Sequence, residues 1–309
     1  MSEAQGSTLK TVVVPFIIFT AIWGTTWIVI RDQLGDVPAQ WSITYRFIIA
    51  GAAMAAVTRW KGESLRLGGA GIAAAATLGF LQFVVNFTAV YLAEHHITSG
   101  LVATVFALLL IPNSLLGWAF LGQKPGARFV ISSAFAVAGV AMLFAHELGE
   151  HPARTDEILL GISLTLTGIF GASAANVYQA LERVKRFPLF ALLTWAMLLG
   201  ALMDGAIALA FTGPPVIEWR LGYWLGLFYL AIFASALAFS LYLPVVRKIG
   251  PAKAAYSSVL VPIIAMGFST WIEGYRWTPL AAAGVLLALG GMLGALSRSR
   301  SVVPAPDAA

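Results

Sequence analysis

Cysteine is absent from the 309 residues, which excludes disulfides, thiolate catalysis and Cys-ligated metal. Charge is also scarce: 11% of residues are Asp, Glu, Lys or Arg, while 59% are hydrophobic. No single water-soluble core hides that share of apolar side chains, and a mean hydropathy of +0.85 places the chain in a bilayer. Long basic runs are missing. The pI near 9.6 comes from residues scattered among short loops, a pattern of membrane topology rather than of nucleic-acid binding. There is no H-E-x-x-H, no P-loop and no G-x-S-x-G, so neither ATP hydrolysis nor an intramembrane hydrolase has a sequence handle.

What is abundant is long apolar stretches. About 20 such residues cross ~30 Å of hydrocarbon as a helix. Ten stretches qualify, at 12–30, 41–60, 69–92, 99–121, 127–145, 158–180, 188–211, 221–246, 252–272 and 278–296. The first is too long for a signal-peptide core and ends at Arg31 without a small-residue cleavage site, so it counts as a span. The expectation is an all-α integral membrane protein with ten transmembrane helices.

The loops orient it. Lys10, Arg59, Lys61, Arg66, Lys124, Arg128, Arg183, Lys185, Arg186, Arg247, Lys248, Lys253, Arg298 and Arg300 fall on one side, fourteen of the nineteen basic residues. The other side holds only Arg31, Arg154, Arg220 and Arg276, with nine acids that include Asp32, Asp36, Glu94 and Glu273. Cytoplasmic loops carry the positive excess, so both termini are expected in the cytoplasm.

The chain also repeats itself. YLAEHHITSGLVATVFALLLIP begins at Tyr91 and YLPVVRKIGPAKAAYSSVLVP at Tyr242. The polar break in the first has no Lys or Arg, whereas that in the second has three, so the two copies face opposite ways. An odd-numbered five-helix unit inverts when duplicated, as in many secondary transporters. The division that follows is a cytoplasmic tail 1–11, a first five-helix repeat 12–145, a periplasmic linker 146–157, an inverted second repeat 158–296 and a cytoplasmic tail 297–309.

Trp23-Gly24 in the first span, the segment from Pro38 to Arg46-Phe47 opening the second, Pro112 and Pro262 in the fourth and ninth, and Glu273 after the ninth give a further pattern. In their order and spacing the chain resembles the drug/metabolite transporter superfamily, in its EamA branch of ten-span exporters. It departs at Gln123, where the family often has an acid, and in lacking a second-half counterpart of Arg46. The resemblance implies a carrier of small metabolites in the bacterial inner membrane, with helices from both repeats around a central cavity and the fifth and tenth spans peripheral.

Arg46 is the one basic residue inside a span, and a buried arginine must pair or face water. Two readings stand: snorkelling or pairing with Asp204, the intramembrane acid, against direct contact with a substrate carboxylate. Pro112 and Pro262 each remove a backbone hydrogen bond at matched depth, which marks candidate hinges. Gln82 with Asn86, and Asn113 and Asn176, are candidate cavity amides. Trp23, Trp27, Tyr45, Tyr178, Tyr242 and Tyr256 are candidate aromatic contacts. Gly290 and Gly294 form a G-x-x-x-G, which serves either a dimer face or packing within a monomer. Glu94, His95, His96 and Glu273 are the nearest approach to an enzyme's titratable cluster, but they fall in different loops. Neither a metal nor another cofactor is expected.

The expected function is therefore non-enzymatic: a secondary transporter exporting amino acids, aromatic ones included, by alternating access. The partners are a small-molecule substrate and the lipid bilayer, in a monomer or homodimer. Two alternatives carry different chemistry: export of flat hydrophobic cations such as methyl viologen by cation–π contact, or carriage of nucleotide sugars or phosphate esters, which calls for several intramembrane basic residues.

Overall fold

The computed structural model describes residues 9–249, 254 and 257–296, and among these it is all-helical. Eight helices are long and apolar enough to cross a membrane: α1 Thr11–Gln33, α2 Ala39–Trp60, α3 Gly68–Glu94, α4 Ser99–Leu121, α5 Ala127–Glu150, α6 Pro152–Ala180, α7 Leu189–Phe211 and α8 Leu221–Lys248. Two shorter apolar helices follow, α9 Ser257–Ile272 and α10 Pro279–Leu296. The stretch expected to span at 252–272 begins among residues outside the description, so α9 has 16 residues, about 24 Å at 1.5 Å per residue.

Short connections set where each helix starts and stops. Pro38 and Pro188 stand at the N-caps of α2 and α7, where a missing N–H costs nothing. Gly122 adopts φ 69° just past α4, and Gln123 N–H reaches back to the Gly117 carbonyl. Gly274, also at φ 69°, plays the same part after α9, with Tyr275 N–H on the Ser269 carbonyl. This left-handed turn satisfies carbonyls that the helix end would otherwise orphan.

Contacts between loops define two ends of the bundle. At the acid-rich end, Arg220 Nη1 donates to Asp32 Oδ1 at 3.0 Å, Arg154 Nη2 to the His96 carbonyl at 3.2 Å, and Ser99 Oγ to Glu273 Oε2 at 2.6 Å. At the base-rich end, Trp195 Nε1 donates to the Leu65 carbonyl at 2.8 Å and Lys248 Nζ to Thr11 Oγ1 at 2.6 Å. Large apolar side chains such as Leu202, Leu209, Ile131, Phe170 and Leu286 face outward, as lipid contact requires.

In lipid there is little hydrophobic drive between helices, so association relies on close packing and hydrogen bonds. α5 and α10 meet through small residues. A Cβ on Gly139 would strike the backbone of Ala288 and lie 2.5 Å from the Gly284 carbonyl oxygen; one on Gly291 would lie 2.6 Å from that of Ser132. Gly294 belongs to this seam, its Cβ position 2.6 Å from Ser132 Oγ, while Gly290 faces open space. The two ends of the G-x-x-x-G thus do different things, and Gly294 is spent on packing within the chain. α2 and α7 are pinned by Thr58 Oγ1 and Thr194 Oγ1 at 2.9 Å.

Three helices lose α-helical register where the chain encloses space. α3 is π-helical over Phe80–Val85, α8 over Tyr229–Leu237, and α4 tightens into a 3₁₀ turn at Ala107–Leu109, ahead of Pro112.

Candidate functional site

A cavity lies between α1, α2, α3, α4, α6, α8 and α9; among the described residues none of α5 or α10 lines it. Its volume is about 120 Å³. The irregular helices build it. A π turn displaces carbonyls from their usual partners, and the Ala234 carbonyl in the α8 stretch accepts Trp23 Nε1 at 3.1 Å. Ser235 Oγ, one residue on, donates to the Leu230 carbonyl at 2.9 Å and accepts from Arg46 Nε at 3.0 Å. Gln82 sits in the α3 π stretch, and Asn86 opens the α-helix that follows.

Arg46 is 1% exposed, so it does not snorkel. Its Nη1 donates to Tyr91 Oη at 3.3 Å, and its guanidinium lies 4.5 Å from the Phe87 ring centroid and 5.3 Å from that of Phe47. Among the described residues no carboxylate forms an ion pair with it. The expected pairing with Asp204 is not found: Asp204 is buried beside α3 and accepts from Thr88 Oγ1 at 3.2 Å. Arginine and aspartate share a depth in the sequence, but the rotation of α2 and α7 sends them different ways. The cavity therefore presents a guanidinium held by neutral hydroxyls and aromatic faces.

Two further polar atoms are buried and unpartnered at the cavity wall: the donor Trp27 Nε1 and the acceptor Asn86 Oδ1. Aromatic rings form much of the rest. Trp27 lies 5.4 Å from Phe106, and Trp23 lies 4.9 Å from Tyr242 and 5.5 Å from Phe239.

The sequence pattern of the EamA-like transporter family matches residues 11–145 and again 159–297. The chain belongs to the EamA-like transporter family. It is 23% identical to the probable amino-acid metabolite efflux pump of Escherichia coli K12 over 89% of this chain and 91% of that one. It is 27% identical to the uncharacterized inner membrane transporter YedA of the same strain, over 88% and 89% respectively. A crystal structure of another protein, 18% identical, matches with a TM-score of 0.67 over 91% of this chain and 95% of that one, so the fold recurs there. This EamA-like transporter is an integral membrane protein of a bacterial inner-membrane transporter family.

In this transporter, Trp23, Trp27, Arg46, Gln82, Asn86, Asn176, Tyr242 and Pro262 all line the cavity. Asn113 stands behind the wall, where its Oδ1 accepts from Asn176 Nδ2 at 3.5 Å. Tyr45 points away: it stacks on Trp41 and donates to the Val216 carbonyl at 3.0 Å. Tyr178 lies beneath Arg183, 6.0 Å from its guanidinium, and Tyr256 lies outside the described residues. Pro112 lines an apolar groove against α5 and α6 instead, so the two prolines are not equivalent here. The contacts missed in the sequence are Phe87, Phe106, Phe239 and Ser235. Phe and Ser on apolar helices read as core.

Proposed function

We propose that this EamA-like transporter exports amino acids, aromatic ones included, across the bacterial inner membrane by alternating access. The observation that carries the reading is Arg46, fully buried at an aromatic cavity with no carboxylate paired to it. A buried cation that forms no ion pair among the described residues is a site for an anionic group, and guanidinium geometry suits a carboxylate. Trp27 Nε1 offers a second donor to the same group, and Asn86 Oδ1 accepts from an ammonium that also meets ring faces. The side chain of the amino acid then lies among Trp23, Phe106, Phe239 and Tyr242. The name of the E. coli relative, a probable amino-acid metabolite efflux pump, supports the same class.

Ten spans in two inverted five-helix repeats are part of this reading. The family pattern matches twice, at 11–145 and 159–297. The third helix of each half carries a π stretch, the fourth of each ends on a left-handed glycine, and the fifth of each, α5 and α10, pack on one another. With both termini in the cytoplasm, the acid-rich end faces the periplasm.

The test is uptake into proteoliposomes of a labelled panel weighted to Phe, Trp, Tyr, Leu, Met and Thr. Saturable uptake of aromatic members, lost in Arg46→Ala, is the expected result. Passage of methyl viologen with no amino acid transported overturns the carboxylate-reading role and makes the protein a cation exporter.

A further inference from the structure

Glu94 ends α3, one helical turn beyond the cavity-lining Val90. It is 0% exposed, and neither carboxylate oxygen has a hydrogen-bond partner. From α1, Arg31 Nη1 donates to the Glu94 backbone carbonyl, leaving the carboxyl unengaged. Arg31 Nε lies 3.7 Å from Glu273 Oε1 at the end of α9, and Glu273 in turn accepts from Ser99 N–H at 3.2 Å and Ser99 Oγ at 2.6 Å, holding the start of α4. The other titratable or charged groups facing this point are Arg46 of α2 and Tyr91 of α3, with His95 and His96 in the following loop and Arg154 at the start of α6 on the His96 carbonyl. The ends of α1, α3, α4 and α9 therefore converge on one buried acid.

A negative charge on that acid would lie in the interior without a hydrogen bond, facing the Glu273 carboxylate on one side and the Arg31 and Arg46 guanidiniums on the other. It would also compete with Glu273 for Arg31. We propose that Glu94 is a proton-binding site that latches the acid-rich end: with the proton bound this end closes as seen here, and its loss to water draws Arg31 from Glu273 and opens the end. No other bond is made or broken; the carboxyl becomes a carboxylate and the proton passes to solvent. Resting on the exporter reading, this makes proton uptake from the acid-rich side the event that re-closes that end after substrate leaves, and so couples export to proton entry.

The chain has no cysteine, so spin labels can be placed at Asp36→Cys, between α1 and α2, and Arg276→Cys, between α9 and α10. Both positions are exposed, and neither belongs to the latch. Distances between the labels are measured by pulsed electron resonance in purified protein, without substrate, from about pH 5 to about pH 9. One short population is expected at low pH. A longer one should grow as pH rises, with the ratio changing by up to about tenfold per pH unit while one proton titrates. Glu94→Gln is expected to stay in the short population throughout, Glu94→Asp to keep the pH response, and Glu273→Gln to favour the long population at every pH. A native protein without pH response, or a Glu94→Gln protein that responds like native, overturns the proposal. Because no substrate is added, a failed amino-acid uptake assay would leave this result standing, and the reverse holds as well.

Discussion

Arg46 concentrates the chemistry of the cavity in one side chain. Its Nε and Nη1 are engaged by Ser235 and Tyr91, 189 residues downstream and 45 residues downstream respectively, which fixes the plane of the guanidinium. Arg46→Ala removes charge-assisted hydrogen bonds worth about 1.5–3 kcal/mol, so the affinity for a carboxylate substrate is expected to fall about 10- to 100-fold in uptake or binding titrations. Arg46→Lys should not rescue it, since a lysine has no fork to share between a hydroxyl and a ligand. Trp27→Phe keeps a ring against Phe106 but deletes an unpartnered donor; a loss of about three- to tenfold in affinity, with normal expression, would mark Nε1 as a ligand contact. The sequence made Arg46 conspicuous because a base inside a span is rare. It could not name Ser235, which looks like any small residue on an apolar helix, nor separate Trp27 from Tyr45, which finds its partner in the Val216 carbonyl.

At the scale of helices, the π stretches of α3 and α8 place Gln82 and Ser235 where regular α-helices would have rotated them elsewhere. No residue pattern announces a π turn, because the extra residue per turn is tolerated wherever side chains from neighbouring helices take up the freed carbonyls, as Trp23 does at Ala234. The α5–α10 seam obeys a simpler rule: glycine where backbones touch. Gly139→Leu puts atoms where the Ala288 backbone already stands and should destabilise the purified protein by about 1–3 kcal/mol or more, read as a lowered melting temperature. A Cβ at Gly290 meets nothing within 4 Å, and Gly290→Ala should stay within about 0.5 kcal/mol of native. If both variants melted alike, the seam would not be the determinant.

Over the whole molecule, charge is arranged by end. The exposed Arg220–Asp32 pair, with side chains 47% and 50% accessible, is screened by water, and Asp32→Asn should change stability by no more than about 1 kcal/mol. Orientation has its own test. A single Asp36→Cys should react with an impermeant maleimide in cells with a permeable outer envelope, and Lys124→Cys only after the inner membrane is broken. Reversed labelling would invert the topology.

The sequence by itself determined that this is a helical membrane protein, where its apolar segments lie and which loops share a charge sign. These are local properties: helix rise, bilayer thickness and loop charge are written in contiguous residues. Tertiary structure alone decided which polar faces meet. It joined Trp27, Arg46, Asn86 and Asn176 at one cavity, turned Tyr45 and Tyr178 away from it, gave Asp204 to Thr88, and brought Glu94 and Glu273, 179 positions apart, to one latch. The physical reason is that helix rotation and tilt are set by packing against neighbouring helices, and those contacts join residues far apart in the chain.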